Sequence, residues 1–420
     1  MARIVLTSFG SLGDIHPYLA LGLGLRDRGH RVALATHGFY RDKVEAEGID
    51  FFPLRPEGDP NDRELAALLM DIKKGPERVL RGIVLPALRE TYEDLRAAAE
   101  GADLLVGHPL TFAVPLVSGV LGIPWASAAL APLSFFSAFD PPVLAPFPWL
   151  AHLRALGPWV NRQVMNFGRR TVLPWTEPVR RLRQELGLPP GENPIFEGQH
   201  SPSLVLALFS SLLGARQPDW PPQTVAAGHL FYDRHGAPAA LSAEVEAFLA
   251  AGEAPLVFTL GSAAVLNPGT FFAESAAAAK SLGRRAILVG AETQEGLPSS
   301  ILAVPYVAYS QLFPRAAAIV HQGGIGTVGQ ALAAGRPMLV VPFSHDQPDN
   351  AARLVRLGVA RTLGRHRYRA APVAAELRQL LDDPSYAERA TEAGEHVRGE
   401  TGLATACAAI ERLLGGAGRR

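Results

Sequence analysis

The chain has 420 residues, of which 48% are hydrophobic and 19% charged, with 40 basic and 40 acidic side chains. This length suits two domains of about 200 residues each. The apolar content excludes a disordered chain, the balanced charge offers no basic face for nucleic acid, and the single cysteine, Cys407, excludes an internal disulfide and a cysteine-built zinc site.

The first segment, RIVLTSFG at 3–10, reads as a buried strand rather than a signal peptide, because one basic residue precedes only a short apolar run. With the lone cysteine this points to a cytoplasmic location. A helix is expected over 17–28, between Pro17 and Gly29. A strand at 31–37, a helix at 41–48 and a strand at 49–55 follow. Residues 104–139 carry no charged side chain, but Pro109, Pro115, Pro124 and Pro132 cut them too short for a membrane span. The pattern there is buried strand, buried helix, buried strand and apolar loop.

Residues 131–160 are rich in Pro, Trp, Phe and Leu, and read either as core packing or as an apolar pocket holding Phe135, Phe136, Phe139, Phe147 and Trp149. An arginine-rich helical stretch at 161–187 reads as a solvated face, with contact to a membrane surface as the alternative. A strand at 203–209 and a linker at 232–242 come next. The alternation then restarts: strand 255–263, helix 270–282, strands 284–290 and 317–322, helix 327–334, strand 337–343, and helices from Asn350, Pro372 and Thr401. Continuous apolar strands between helices mean parallel sheets covered on both faces. The fold class is therefore α/β, with two Rossmann-like halves.

HQGGIGTVGQ at 321–330 holds a G-x-G-x-x-G at Gly324, Gly326 and Gly329. One reading is a dinucleotide site, hence an NAD-dependent oxidoreductase. Against it, the motif follows a late strand of its half, His321 stands at the strand end, and SHDQPDN at 344–350 has more hydrogen-bonding groups than a ribose needs. The other reading is a nucleotide-sugar site. There glycines let backbone amides approach a diphosphate at a helix N-terminus, and Asp346 and Gln347 read sugar hydroxyls.

Residues 306–360, YVAYSQLFPRAAAIVHQGGIGTVGQALAAGRPMLVVPFSHDQPDNAARLVRLGVA, resemble the donor-binding signature of family 1 glycosyltransferases. GSLGDIHPYLALGLGLRDRGHRV at 10–32 resembles the opening of the sterol and antibiotic branch, near the rhamnolipid-type rhamnosyltransferases, and FTLGSA at 258–263 matches the first donor-domain loop. The resemblance implies a GT-B fold, two parallel-sheet domains facing a cleft. Residues 1–235 would bind the acceptor and 236–400 the donor, with the helix at 401–420 packing back on the first domain.

By the same resemblance His321 contacts the diphosphate, Gly323, Gly324, Gly326 and Thr327 supply the loop, and Ser262 lies opposite. Asp346 and Gln347 match the pair that reads sugar hydroxyls, and Asn350 a donor-loop asparagine. Tyr306 falls, with a one-residue gap, near the aromatic that stacks on the base. The acceptor base falls on Asp14, with His16 as the alternative. His108 in LLVGHPL takes the place of the residue that orients the base. The implied reaction is inverting transfer of a hexose to a hydroxyl of a lipophilic acceptor, with no metal and no cofactor. The co-substrate is UDP-glucose or, next, a dTDP-deoxysugar such as dTDP-rhamnose. A non-catalytic nucleotide-sugar binder and a same-fold sugar epimerase are the remaining alternatives.

Overall fold

The alternating pattern closes into two fully parallel sheets in a computed structural model, which describes residues 1–58, 62–232, 241–291 and 296–417. The first sheet contains β1 (Arg3–Thr7), β2 (Arg31–Thr36), β3 (Asp50–Pro53), β4 (Leu104–Gly107), β5 (Trp125–Ala129), β6 (Val205–Ala207) and β7 (Thr224–Ala226), in the order β3-β2-β1-β4-β5-β6-β7. The second contains β8 (Leu256–Thr259), β9 (Ala286–Val289), β10 (Ile301–Val304), β11 (Ala318–His321), β12 (Met338–Val340) and β13 (Ala360–Thr362), in the order β10-β9-β8-β11-β12-β13. The strand order reverses between β1 and β4 and again between β8 and β11. In open parallel sheets, ligands bind at the carboxyl ends of strands flanking such a reversal.

Alternate side chains of one strand feed opposite layers, as the period of two requires. Ile4 and Leu6 join a core with Leu19, Leu34, Val106 and Leu206, whereas Val5 joins Ala33, Leu105, Leu95 and Val117 on the other face. The second sheet divides likewise, Phe258 and Val320 to one layer, Val257 and Ile319 to the other. The helix Gly402–Ala417 contributes Ala406, Cys407, Ala409 and Ile410 to the core that holds Ile4 and Leu6. It fits there because Gly24 has no side chain: a Cβ would lie 2.8 Å from Leu403 Cδ1.

The charge-free stretch 104–139 folds as β4, the helix Val114–Leu121, β5 and a loop. Among the described residues no helix is long and apolar enough to cross a membrane. Strands β7, β10 and β13 and the helices between Arg63 and Ala98 have no counterpart in the sequence expectations. Residues 233–240 of the linker expected at 232–242 lie outside the described residues. The arginine-rich segment forms Gly157–Val172 and Glu177–Glu185, with Trp159 and Phe167 exposed on the first.

Candidate active site

At the carboxyl end of β1 the chain turns into the helix Leu12–Arg26, five residues earlier than Pro17 suggested. Ser11 is its N-cap and Asp14 its third residue. One carboxylate oxygen, Asp14 Oδ2, accepts the Ser11 backbone N–H at 2.8 Å and its hydroxyl at 3.2 Å. This is one arm of a capping box, satisfying a donor that the helix start leaves open. Gly10, at φ 129°, is required beside it, since a Cβ there would stand 2.3 Å from Oδ2.

The other oxygen, Oδ1, faces His108 Nε2 at 3.5 Å. His108 follows β4 directly, so the two strands flanking the reversal deliver the two side chains to one place. Its Nδ1 accepts the Leu110 N–H at 3.2 Å. A neutral imidazole that accepts at one nitrogen carries its proton on the other, which leaves the proton on Nε2, the nitrogen nearer the carboxylate. His16 lies about 200° further round the helix than Asp14, with its ring centroid 4.9 Å from that of Tyr232. The structure thus brings Asp14 and His108 together and turns His16 to another neighbour.

In the second half, β11 ends on His321, which is fully buried. Its Nδ1 accepts the Gly323 N–H at 3.1 Å, and Nε2 has no hydrogen-bond partner among the described residues. Burial pushes its pKa down to about 3, so the ring is neutral and presents an unpartnered N–H. The Gly323 amide, expected to face a diphosphate, is occupied by this ring. The remaining loop amides belong to the helix Ile325–Ala334, which begins two residues before the expected Thr327, with Gly324 as N-cap. The N–H groups of its first turn lack helical acceptors and stand at its positive end.

The three motif glycines have separate neighbours. A Cβ on Gly324 would meet Gln322 Nε2 at 2.8 Å, and one on Gly326 would sit 3.7 Å from Gly13 Cα of the first half. A Cβ on Gly329 would come within 2.9 Å of the His229 ring. The N-terminus of Ile325–Ala334 therefore lies directly against that of Leu12–Arg26. Two positive helix ends converge where an anion would sit. Gln322 also fills the space at Gly261 (φ 65°), next to the exposed Ser262. Neither Gln322 nor His229 was legible in the sequence.

After β12, Asp346 stands at the N-cap position of the helix Gln347–Leu357. Asn350 Nδ2 donates to Asp346 Oδ2 at 2.7 Å and to the Gly323 carbonyl at 2.9 Å, tying this helix to the glycine loop. Gln347 Oε1 accepts the amides of Phe343 and Ser344 at 2.8 and 3.2 Å, so the loop holds its carbonyl end. Burial, with Asp14 and Asp349 nearby, pushes the Asp346 carboxyl up to about 7. Thr327 is buried in the first turn of its helix, and Tyr306 is largely exposed. Of the apolar side chains proposed for a pocket, Phe135 is instead core, stacked on Trp220 at 3.9 Å. Phe136 packs on Phe196, and Phe139, Phe147 and Trp149 remain exposed.

Known proteins match this arrangement across the whole chain. Residues 288–404 match the erythromycin biosynthesis protein CIII-like C-terminal domain, and residues 4–98 the glycosyltransferase family 28 N-terminal domain. The O-mycaminosyltylonolide 6-deoxyallosyltransferase of Streptomyces fradiae is 35% identical over 97% of this chain and 97% of its own length. A sterol 3-beta-glucosyltransferase of Neurospora crassa is 28% identical over 98% of this chain, which spans 27% of that protein. The crystal structure of the kitacinnamycin glycotransferase superposes with a TM-score of 0.76 at 20% identity, covering 98% of this chain and 99% of its own.

Proposed function

The chain belongs to the nucleotide-sugar-dependent GT-B glycosyltransferases of natural products and sterols, and from that premise we propose that it transfers a hexose, with inversion, to an acceptor hydroxyl deprotonated by Asp14. The dinucleotide reading of the glycine loop and the same-fold epimerase reading give way to this family. The observation that carries the proposal is the divided carboxylate of Asp14. One oxygen is fixed by the helix cap, and the other meets His108 Nε2 at 3.5 Å, beside the glycine turn of the opposite half.

In this scheme Asp14 takes the proton of the acceptor hydroxyl, and His108, donating from Nε2, orients the carboxylate. The acceptor oxygen bonds to the anomeric carbon as the bond to the diphosphate oxygen breaks, so the configuration inverts. The leaving charge falls on the diphosphate. His321 Nε2–H and the first-turn amides of Ile325–Ala334 are placed to stabilise it, within two converging helix dipoles. His321 serves as a neutral donor, because burial keeps it unprotonated. Asp346, Asn350 and the NH2 of Gln347 read the sugar hydroxyls. Ser262 and Tyr306 line the nucleotide side.

Of the two donors left open by the sequence, the dTDP-deoxysugar is favoured over UDP-glucose, since the relative at 35% identity is named for 6-deoxyallose transfer. The acceptor is a lipophilic alcohol, as the relatives' names, O-mycaminosyltylonolide and sterol, suggest. The test is a donor panel of dTDP-deoxysugars and UDP-glucose, with the anomeric configuration of the product read by proton NMR coupling. A product of configuration opposite to the donor supports direct displacement by the Asp14-activated hydroxyl. Retention of configuration would rule that out.

A further inference from the structure

The helix that carries Asp346, Gln347 and Asn350 is gripped in two places by the other half of the molecule. Ahead of its first turn, Ser344 Oγ donates to the Asp71 carbonyl at 2.9 Å, the His345 ring lies beside the Leu69 backbone, and Met70 enters the core of the second sheet. Gly75 stands at this contact: a Cβ there would lie 2.1 Å from the Leu69 carbonyl oxygen of its own segment and 2.9 Å from Ser344 Oγ. His345 accepts a left-handed backbone, φ 59°, to be there. A residue with a Cβ adopts that conformation only rarely.

The second grip lies on the helix itself. Asp349 and Arg353 have side chains 0% and 2% exposed. Asp349 Oδ1 accepts the Val143 N–H at 2.9 Å, and Oδ2 accepts Arg353 Nε at 2.7 Å. Arg353 donates to the Leu213 carbonyl at 2.8 Å and pairs with Asp140. Asp140 is also paired with Arg154 at 2.5 Å. Asp140 and Val143 sit on the loop after Phe139. Ser137 and the Ala138 amide anchor that loop to Asp219 at 2.6 and 2.7 Å. Positions 346, 349, 350 and 353 follow the i, i+3, i+4, i+7 spacing of one helix face. The side that would read the sugar therefore continues without a break into the ion cluster.

A buried ion cluster adds little net stability over apolar packing of the same shape, so its worth lies in fixing one arrangement. We propose that Arg353, held between Asp349 and Asp140, is a positioning residue: it locks the apolar loop at 137–143 to the helix that reads the donor sugar. Sugar recognition in one half thereby depends on the seating of the acceptor-side loop from the other. The inference rests on the donor-site reading above.

The test compares wild type with Asp140→Asn, Arg353→Met and Arg353→Lys in the full chain. Calorimetry gives the Kd of UDP and dTDP, and steady-state assays give KM and kcat for the preferred nucleotide sugar. Asp140→Asn leaves the Asp349–Arg353 pair intact and keeps the test valid if Arg353→Met does not fold. The expected result is a KM for the nucleotide sugar raised about ten-fold or more while the Kd of the bare diphosphate changes less than about two-fold, with Arg353→Lys in between. Unchanged KM in the folded variants overturns the proposal. Equal weakening of diphosphate and nucleotide sugar also overturns it, because it reports general loosening. Wild type that binds neither nucleotide refutes the donor-site reading instead.

Discussion

At the residue scale the site is a set of side chains with one end held by the protein and one end open. Asp14, His108, His321 and Gln347 each give one polar atom to the local backbone. That fixes tautomer or orientation before any ligand arrives. Asp346 differs, because its environment disfavours its charge. A carboxyl moved from the ordinary value near 4 to about 7 in the folded state binds a proton there that the unfolded chain releases. Its contribution is therefore fully present below about pH 4 and is lost as pH rises through 7. Asp346→Asn removes this titration. Its melting temperature should gain on wild type between about pH 4 and pH 7, with the gap constant above. Parallel melting curves across that range would contradict the assignment.

At the scale of elements, the glycine motif was legible as a strand–turn–helix with an anion-facing end. The reason for its spacing was not. Gly329 makes room for His229 and Gly326 faces Gly13, and both neighbours lie on the other half and leave no local pattern in sequence. The same holds for Arg353 and Asp140, 213 residues apart. The earlier start of the first helix had a local signal, Ser11 three residues before Asp14, which the proline at 17 outweighed. Strands β7, β10 and β13 all lie at sheet edges and are only three or four residues long, too short a run to read as a strand. The two glycines should respond oppositely to alanine. Alanine is favoured over glycine inside a helix by about 1 kcal/mol, and at 326 its Cβ makes only ordinary contact at 3.7 Å. At 329 it overlaps the His229 ring at 2.9–3.1 Å. Gly326→Ala should melt at or above wild type, and Gly329→Ala below it. A Gly329→Ala protein as stable as wild type would show that the two halves are not packed this closely.

At the scale of the whole molecule, two parallel sheets point the strand ends flanking their reversals at one cleft. The first supplies a carboxylate and its histidine partner, the second a neutral histidine and a helix end, proposed here as the anion site. Contacts at Gly13–Gly326, Leu69–His345 and Asp140–Arg353 bring them into register. The central claim is that Asp14 acts in the chemistry and not merely in the helix cap. It is tested most directly by Asp14→Asn, which keeps a capping oxygen but not a base. Glycosyl transfer to the relatives' named acceptors is measured beside donor affinity. The account predicts donor Kd within about two-fold of wild type and turnover reduced by roughly 10²–10⁴-fold. Turnover at the wild-type rate, with the variant folded and donor bound, would contradict it.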